Sequence, residues 1–222
     1  MKLVIFNGSP RTEKSSTKIL LDHFIKGFSS NQGNISESYF LRSIRDREMH
    51  LKKFIESEYV ILGFPLYADS MPSFVKEFME DLKPYRGKLH KLSIGFLVQS
   101  GFPEAAHSRP VERYLEKLTK RLGSKYMGTI IRGNCNRIDM QPAMMAKPVF
   151  KLMFSLGKSF GESGVLDKEI MNSLARPEKL KGFSLFLNRV LLKTPLATRY
   201  WDKQLKENRA FDKRSNAPYL KP

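Results

Sequence analysis

Alternation of strand-type and helix-type hydrophobic patterns is the feature that most constrains the fold of this chain. Five short runs rich in β-branched and aromatic residues follow one another, with longer segments between them. Strands that alternate with helices are typical of βαβ units around a parallel sheet. We therefore predict an α/β fold with a three-layer, doubly wound, five-stranded parallel sheet. The predicted strands are KLVIFN (2–7), ISESYFL (35–41), YVILGF (59–64), LSIGFLVQ (92–99) and MGTIIRG (127–133).

The segments between the strands carry apolar residues at helical spacing. Such stripes predict helices within 19–28, 49–55, 74–82 and 111–122. Gly123 follows the last stripe and stands where a helix C-cap is expected.

After residue 140 the pattern changes to segments rich in Met and Phe, interrupted by Pro142 and Pro148. Their apolar spacing predicts extra C-terminal helices at 148–160 and 183–192. Lysines and arginines flank both apolar stripes, which is compatible with binding at an anionic membrane surface. Burial of these stripes within the fold or across a dimer is the alternative.

Charge is unusually positive for a chain of this size. The 222 residues contain 39 Lys and Arg against 22 Asp and Glu, a formal net charge of +17. Such a surface favours anionic partners, such as phosphorylated cofactors, acidic lipid headgroups or nucleic acid. A basic surface that only improves solubility is an equal alternative. The C-terminal helices lack the aromatic and basic platform of a single-strand binder, so we expect no nucleic-acid partner.

Cysteine and histidine usage argues against structural metal or disulfides. Cys135 is the single cysteine, which excludes an internal disulfide framework. The four histidines lie far apart without ligand spacing, so no metal site is expected. No secretory signal or bilayer-length apolar run is visible, and we expect a cytoplasmic protein.

The segment FNGSPRTEKSSTKIL (6–20) joins the first predicted strand to the first helix. Gly8, Lys14 and Ser15 imitate the nucleoside-triphosphate loop G-x4-G-K-S. Glu13 stands where that loop requires glycine, which argues against an ATPase or kinase. The segment also lacks G-x-G-x-x-G and G-x-S-x-G, so it supports neither a dinucleotide site nor an esterase nucleophile.

The remaining groups of this segment suit a phosphate monoester. Ser9, Ser15, Ser16 and Thr17 offer hydroxyl groups, and backbone amides at a helix start point toward an anion. Arg11 adds a charge that can grip phosphate in bidentate fashion. A polar turn in which Ser15 or Ser16 only caps the helix is the alternative.

Three segments in order resemble the flavodoxin-like NAD(P)H-dependent oxidoreductases, a superfamily that includes FMN reductases and quinone reductases. They are N-G-S-P-R-x3-S-S-T (7–17), GFPLYADSMPSFVKEFMEDL (63–82) and QSGFPEAAHS (99–108). The resemblance implies a flavodoxin-like FMN-binding domain over residues 1–175, with strand order 2-1-3-4-5. Residues 176–222 are then a basic helical extension that packs on this domain or on a partner subunit.

The resemblance also implies where FMN lies, because such sheets bind ligands beyond the carboxyl ends of strands one and three. The loop 9–17 would hold the phosphate through Ser9, Arg11, Ser15, Ser16 and Thr17. The two later loops would flank the isoalloxazine ring. The residues expected there are Pro65, Leu66, Tyr67, Ala68, Asp69, Ser100 and Gly101.

Function follows as a second expectation from the resemblance. NAD(P)H would serve as cosubstrate, and hydride would pass through the flavin to a small electron acceptor such as a quinone. A homodimer is expected, and no catalytic residue is identified. Several residues keep two open interpretations, one at the reaction site and one as ordinary packing or turn residues. They are Phe102, His107, Arg132, Asn134, Cys135, Asn136 and Arg137.

Two alternatives to the reductase remain. One is a flavodoxin-type electron carrier without NAD(P)H activity, which the basic charge and Arg11 disfavour. The other is a basic protein of the membrane surface built on a flavodoxin-like fold. Some members of the family carry a cysteine cluster for an iron–sulfur centre between strands two and three, and this chain has no cysteine there.

Overall fold

The computed structural model describes residues 1–43, 45–182, 185–186, 190 and 195–216. Its strands are β1 (Lys2–Asn7), β2 (Ile35–Phe40), β3 (Tyr59–Pro65), β4 (Ser93–Gln99) and β5 (Lys125–Arg132). Its α-helices include α1 (Ser16–Phe28), α2 (Arg47–Ile55), α3 (Ser73–Asp81), α4 (Arg109–Leu122), α5 (Ala143–Ser163), α6 (Lys168–Leu174) and α7 (Pro195–Glu207). Short 3-10 turns lie at Thr12–Lys14, Lys83–Tyr85, Ala105–Ser108, Ile138–Met140 and Phe211–Lys213.

The five strands form one parallel sheet in the order β2-β1-β3-β4-β5, which confirms the predicted fold class and strand order. Strands β3 and β4 are buried along almost their whole length. Their continuous apolar runs predict this, because a parallel strand is covered by helices on both faces.

Each face of the sheet carries its own apolar core. Val4 and Phe6 of β1 pack with α2, α3 and α4 on one face. Leu3 and Ile5 of the same strand pack with α1 and α5 on the other. This alternation is the period-two side-chain direction of a strand.

The predicted start of helix α5 was wrong. The sequence predicted a helix over 148–160, whereas the structure has Ala143–Ser163 with Pro148 inside. A proline inside a helix lacks one N–H donor and normally ends the helix. Close packing of α5 on α1 offsets this loss: a Cβ on Gly157 would lie 1.9 Å from the Phe24 carbonyl oxygen.

The predicted end of α4 is confirmed, since Gly123 has a left-handed φ of 79° as its C-cap. The chain divides into two compact units, Met1–Lys179 and Leu180–Pro222. The predicted helix at 183–192 lies largely outside the described residues. Among the helices described, none is both long and apolar enough to cross a bilayer.

Candidate functional site

A crevice of about 220 Å³ opens at the carboxyl edge of the sheet. The loops that follow β1, β3, β4 and β5 form its walls, at the edge where open parallel sheets bind ligands. Its lining residues are Ser9, Arg11, Ser15, Ser16, Pro65, Leu66, Tyr67, Gln99, Ser100, Gly101, Cys135, Asn136 and Arg137.

The loop after β1 turns sharply because of two residues. The Asn7 side-chain oxygen accepts a hydrogen bond from the Ser9 N–H at 2.9 Å, which forms an Asx turn. The Gly8 N–H donates to the Gly63 carbonyl at 2.7 Å. A Cβ on Gly8 would lie 2.4 Å from Cγ2 of Val75, so this close approach to α3 requires glycine.

Ser15 is the N-cap of α1. Its hydroxyl oxygen accepts from the Lys18 N–H at 3.1 Å and donates to the Thr12 carbonyl at 2.6 Å. The side chain is therefore committed to the turn, as the capping alternative predicts. The capping oxygen accepts a hydrogen bond from the third N–H of the helix, so the cap leaves the first two N–H groups unpaired.

These first two N–H groups, of Ser16 and Thr17, have no hydrogen-bond acceptor among the described residues. Ser16 is 6% exposed and Thr17 is fully buried. Unpaired N–H groups at a helix start carry the positive end of the helix dipole and favour an anion. Arg11 also lines the crevice, and no carboxylate in the described chain forms an ion pair with it.

The loop after β3 contains a tight two-residue turn. The Tyr67 N–H donates to the Ser70 carbonyl at 2.8 Å, and the Ser70 N–H donates back at 3.0 Å. Between them Ala68 and Asp69 have φ values of 45° and 61°. The turn holds Tyr67 at the crevice with 47% of its surface exposed.

The loops after β4 and β5 are joined through their backbones. The Ser100 N–H donates to the Arg132 carbonyl at 3.0 Å, and the Ser100 carbonyl accepts from the Cys135 N–H at 2.8 Å. A Cβ on Gly133 would lie 2.5 Å from the Phe102 carbonyl oxygen, so glycine permits this contact. The neighbouring Gly101 N–H has no acceptor within the described part of the chain.

Backbone strain concentrates around this crevice. Among the described residues other than glycine, positive φ occurs at six positions. Arg209 belongs to the second compact unit, and the other five lie in the loops at the carboxyl edge of the sheet. Such conformations cost about 1–3 kcal/mol each and cluster at functional sites. The five residues are Thr12, Ala68, Asp69, Asn134 and Arg137.

Cys135 does not behave as a nucleophile here. The residue is 1% exposed, and burial raises the pKa of its thiol to about 12. The thiol therefore stays protonated near neutral pH. His107 does not line the crevice: its ring stacks on Phe102 at a centroid distance of 4.5 Å, and its Nε2 lies 3.4 Å from a Glu104 carboxylate oxygen.

Comparison with known proteins agrees with this architecture. A family model described as flavodoxin-like fold matches residues 1–149. The chain belongs to this flavodoxin-like family. No curated protein matches the sequence.

Solved structures share the fold at low sequence identity. An FMN-dependent NADH-azoreductase from Bacillus anthracis, in complex with FMN, is 14% identical, with a TM-score of 0.57 over 72% of this chain and 99% of its own. An NAD(P)H:quinone oxidoreductase from Methanothermobacter marburgensis is also 14% identical, with a TM-score of 0.58 over 72% and 96%. The apo form of an NADH:FMN oxidoreductase is 13% identical, with a TM-score of 0.57 over 79% and 96%.

The flavodoxin-like fold brings most of the predicted site residues together. Three predicted residues do not line the crevice. The Thr17 hydroxyl lies beneath it and accepts from the Gln99 side chain at 3.3 Å. Ala68 forms the turn, and Asp69 lines a separate depression beside Tyr114. The predicted residues that do line the crevice are Ser9, Arg11, Ser15, Ser16, Pro65, Leu66, Tyr67, Ser100 and Gly101.

The sequence analysis missed two residues of the site. Gln99 lines the crevice and Asn7 shapes its first loop. Each is the polar last residue of a strand and follows a run of apolar residues, and that position is the signal which identifies them. Three of the residues for which the sequence left two interpretations open line the crevice, namely Cys135, Asn136 and Arg137. Two others, Arg132 and Asn134, do not line it.

Proposed function

We propose that this protein binds FMN in the crevice and passes hydride from NAD(P)H, through the flavin, to a small electron acceptor such as a quinone. One observation carries the proposal. The buried and unpaired N–H groups of Ser16 and Thr17 lie at the start of α1, at the carboxyl edge of a flavodoxin-like sheet.

The donor set around these N–H groups suits a phosphate monoester. The Ser16 N–H and the Arg11 guanidinium, both of residues that line the crevice, would supply directed hydrogen bonds and positive charge, and the Thr17 N–H follows at the same helix start. The Ser9 and Ser16 hydroxyl groups line the same wall. Ser15 acts indirectly, because its capping hydrogen bonds hold the helix start in place.

The opposite walls suit a flat aromatic ring. Leu66 and Tyr67 present an apolar surface from the loop after β3. The free Gly101 N–H offers a donor to a ring carbonyl or ring nitrogen from the loop after β4. When bound, the flavin supplies the chemistry, accepting hydride from a nicotinamide and returning it to an acceptor. The protein would hold the ring between the loops that follow β3 and β4.

No side chain of the crevice is needed as an acid or base for the first hydride transfer. The Cys135 thiol is protonated and buried, so it is not a competing nucleophile. The solved structures that share this fold include an azoreductase and a quinone oxidoreductase. Because both are reductases, they support a reductase over an electron carrier.

Anaerobic reconstitution tests this proposal. The purified chain is saturated with FMN, separated from free flavin and mixed with NADH or NADPH. We expect the visible flavin bands to bleach and to return when a quinone is added. Retained FMN without bleaching by either nucleotide would contradict the reductase and leave an electron carrier. Failure to retain FMN would contradict the flavin site itself.

A further inference from the structure

A second cavity lies between α3 and α4, away from the crevice. Its volume is about 470 Å³. The backbone places it near the amino ends of β4 and β5, because the Leu89 N–H donates to the Leu122 carbonyl at the end of α4. The crevice lies at the carboxyl edge of the same sheet. We call this cavity the α3–α4 groove, lined by Met79, Glu80, Leu82, Lys83, Arg86, Tyr114, Leu118, Arg121 and Leu122.

The floor of the α3–α4 groove is apolar and recessed. Met79, Leu82 and Leu122 are 4%, 0% and 3% exposed and belong to the main core of this face. Leu118 packs against that core, and Tyr114 stands 41% exposed at the wall. Ligand pockets of this size are typically apolar, with a few polar groups that fix orientation.

The rim of the groove carries cations without acidic partners. Lys83, Arg86 and Arg121 form no ion pair in the described parts of the chain. Glu80, the one carboxylate among the lining residues given above, pairs with Lys76. Helical spacing places a further cation, Lys117, one turn from both Tyr114 and Arg121.

Two other arginines on this side of the protein are paired with carboxylates. Arg47 pairs with Asp81, and Arg109 binds both Glu112 and Glu178. Carboxylates therefore occur on this side of the protein, but they pair with Arg47 and Arg109 and not with the rim cations. The rim cations are left to a ligand from outside the chain.

We propose that the α3–α4 groove binds an amphipathic anion. Its apolar body, an alkyl or aryl group, lies against Met79, Leu82, Leu118 and Leu122. Its head, a carboxylate, sulfonate or phosphate, meets Arg86 and Arg121, with Lys83 beside them. This site is distinct from the crevice and does not depend on flavin binding.

Shape and charge favour this ligand over two other occupants. A bilayer is flat, and the apolar residues of the floor are recessed rather than protruding. A second copy related by a two-fold axis would bring three cations toward their own copies, which opposes association. A single amphipathic anion both enters the recess and neutralises the rim.

Matched ligands test the apolar and anionic requirements together. Octanoate and octan-1-ol share their apolar chain, and only octanoate carries charge. We expect calorimetric titration to show octanoate binding at least about tenfold tighter than the alcohol, because each charge-assisted hydrogen bond adds affinity. Equal affinities for the two would overturn the proposal.

Matched variants locate the site. The double substitution Arg86→Gln/Arg121→Gln should weaken octanoate binding about tenfold or more. The control Lys91→Gln/Lys125→Gln removes the same charge from exposed lysines outside the groove and should change the affinity less than about twofold. The thermal unfolding midpoint serves as the folding control for both variants.

Three results would overturn the proposal. Equal weakening by both double variants would show a diffuse charge effect. A dimer in sedimentation velocity that the groove variant dissociates would show a subunit interface. Binding of anionic phosphatidylglycerol vesicles through the groove, without binding of octanoate, would show a membrane contact.

Discussion

In the described parts of the chain, Arg11 of the crevice and the rim cations of the α3–α4 groove have no acidic partner, but the two sites differ in what lies behind these cations. Behind Arg11 lies the start of α1, where Ser16 lines the crevice and where the N–H groups of Ser16 and of the next residue, Thr17, have no acceptor among the described residues. Behind Arg86 and Arg121 the groove presents apolar side chains. The first arrangement suits a hydrophilic phosphate, and the second suits an anion with an apolar body.

The difference also determines how each site depends on sequence. Backbone donors are positioned by the fold, so ordinary side-chain substitutions leave them in place. The α3–α4 groove depends on side chains, so each substitution can remove one of its cations or one part of its apolar floor. The predictions below separate the two kinds of recognition, from the largest expected effect to the smallest.

Ser16→Pro removes one backbone donor and should have the largest effect. Proline is tolerated at the first position of a helix, and Ser15 has the extended φ and ψ of −103° and 144° that proline requires before it. We expect FMN affinity to fall about 100-fold, because a charge-assisted hydrogen bond is lost. Fluorescence titration measures this change.

Ser16→Ala is the matched control, since it removes the hydroxyl and keeps the N–H. A loss below about tenfold is expected, because that hydroxyl oxygen makes only a long contact of 3.4 Å with the Ile138 N–H. If alanine weakens FMN binding as much as proline does, the backbone is not the main phosphate ligand.

Gly133→Ala tests the backbone-built wall of the crevice. The new Cβ would lie 2.5 Å and 2.6 Å from the carbonyl oxygens of Phe102 and Pro103. We expect the free energy of unfolding to fall by about 2 kcal/mol, as in other overpacked sites. Urea denaturation measures it, with Gly101→Ala as control because its nearest contact, Asn136 Cβ, is an ordinary 3.7 Å away. Equal stability of both variants with the unmodified chain would contradict the packing.

Arg11→Gln should weaken FMN binding about tenfold, since one charged partner of the phosphate is lost. The effect should shrink as salt screens the interaction. Lys14→Gln is the matched control, because Lys14 lies in the same loop and does not line the crevice. Equal losses for the two variants would indicate general attraction to a basic protein.

Alkaline pH should destabilise the chain through groups whose pKa is raised by burial. The pKa of Cys135 rises from 9.0 to about 12, and that of Tyr126 from 10.0 to about 12. The unfolded chain loses these protons first, so the stabilisation is complete below about pH 9 and is lost toward pH 12. Cys135→Ala should flatten the alkaline slope by up to about 1.4 kcal/mol per pH unit. If urea titrations between about pH 9 and pH 12 show the same dependence of unfolding free energy on pH with and without Cys135→Ala, this prediction is contradicted.

The sequence predicted the sheet well because each strand carries a local pattern of its own. The run 59–64 is apolar throughout, and a strand covered on both faces needs nothing else to be recognised. The start of α5 was missed because a local rule, the exclusion of Pro148 from helix interiors, is overridden by contact with α1.

The site was predicted in part for a similar reason. Hydroxyl and guanidinium residues predict a phosphate-binding loop, but the sequence cannot show that the Ser15 hydroxyl is fully used as a cap. Ala68 and Asp69 were expected at the ring together with Tyr67; the structure has them in a turn that brings Tyr67 to the crevice, which neither of the two lines. The α3–α4 groove was not foreseen, because it depends on how two helices distant in sequence lie together.

A comparison of FMN with riboflavin tests the central claim most directly, since the two differ only in the phosphate. Both are titrated into the flavin-free protein while flavin fluorescence is followed. The account predicts that FMN binds at least about 100-fold more tightly than riboflavin, through the helix start at Ser16 and Thr17. Equal affinity for the two flavins, or no binding of FMN at saturating concentration, would contradict it.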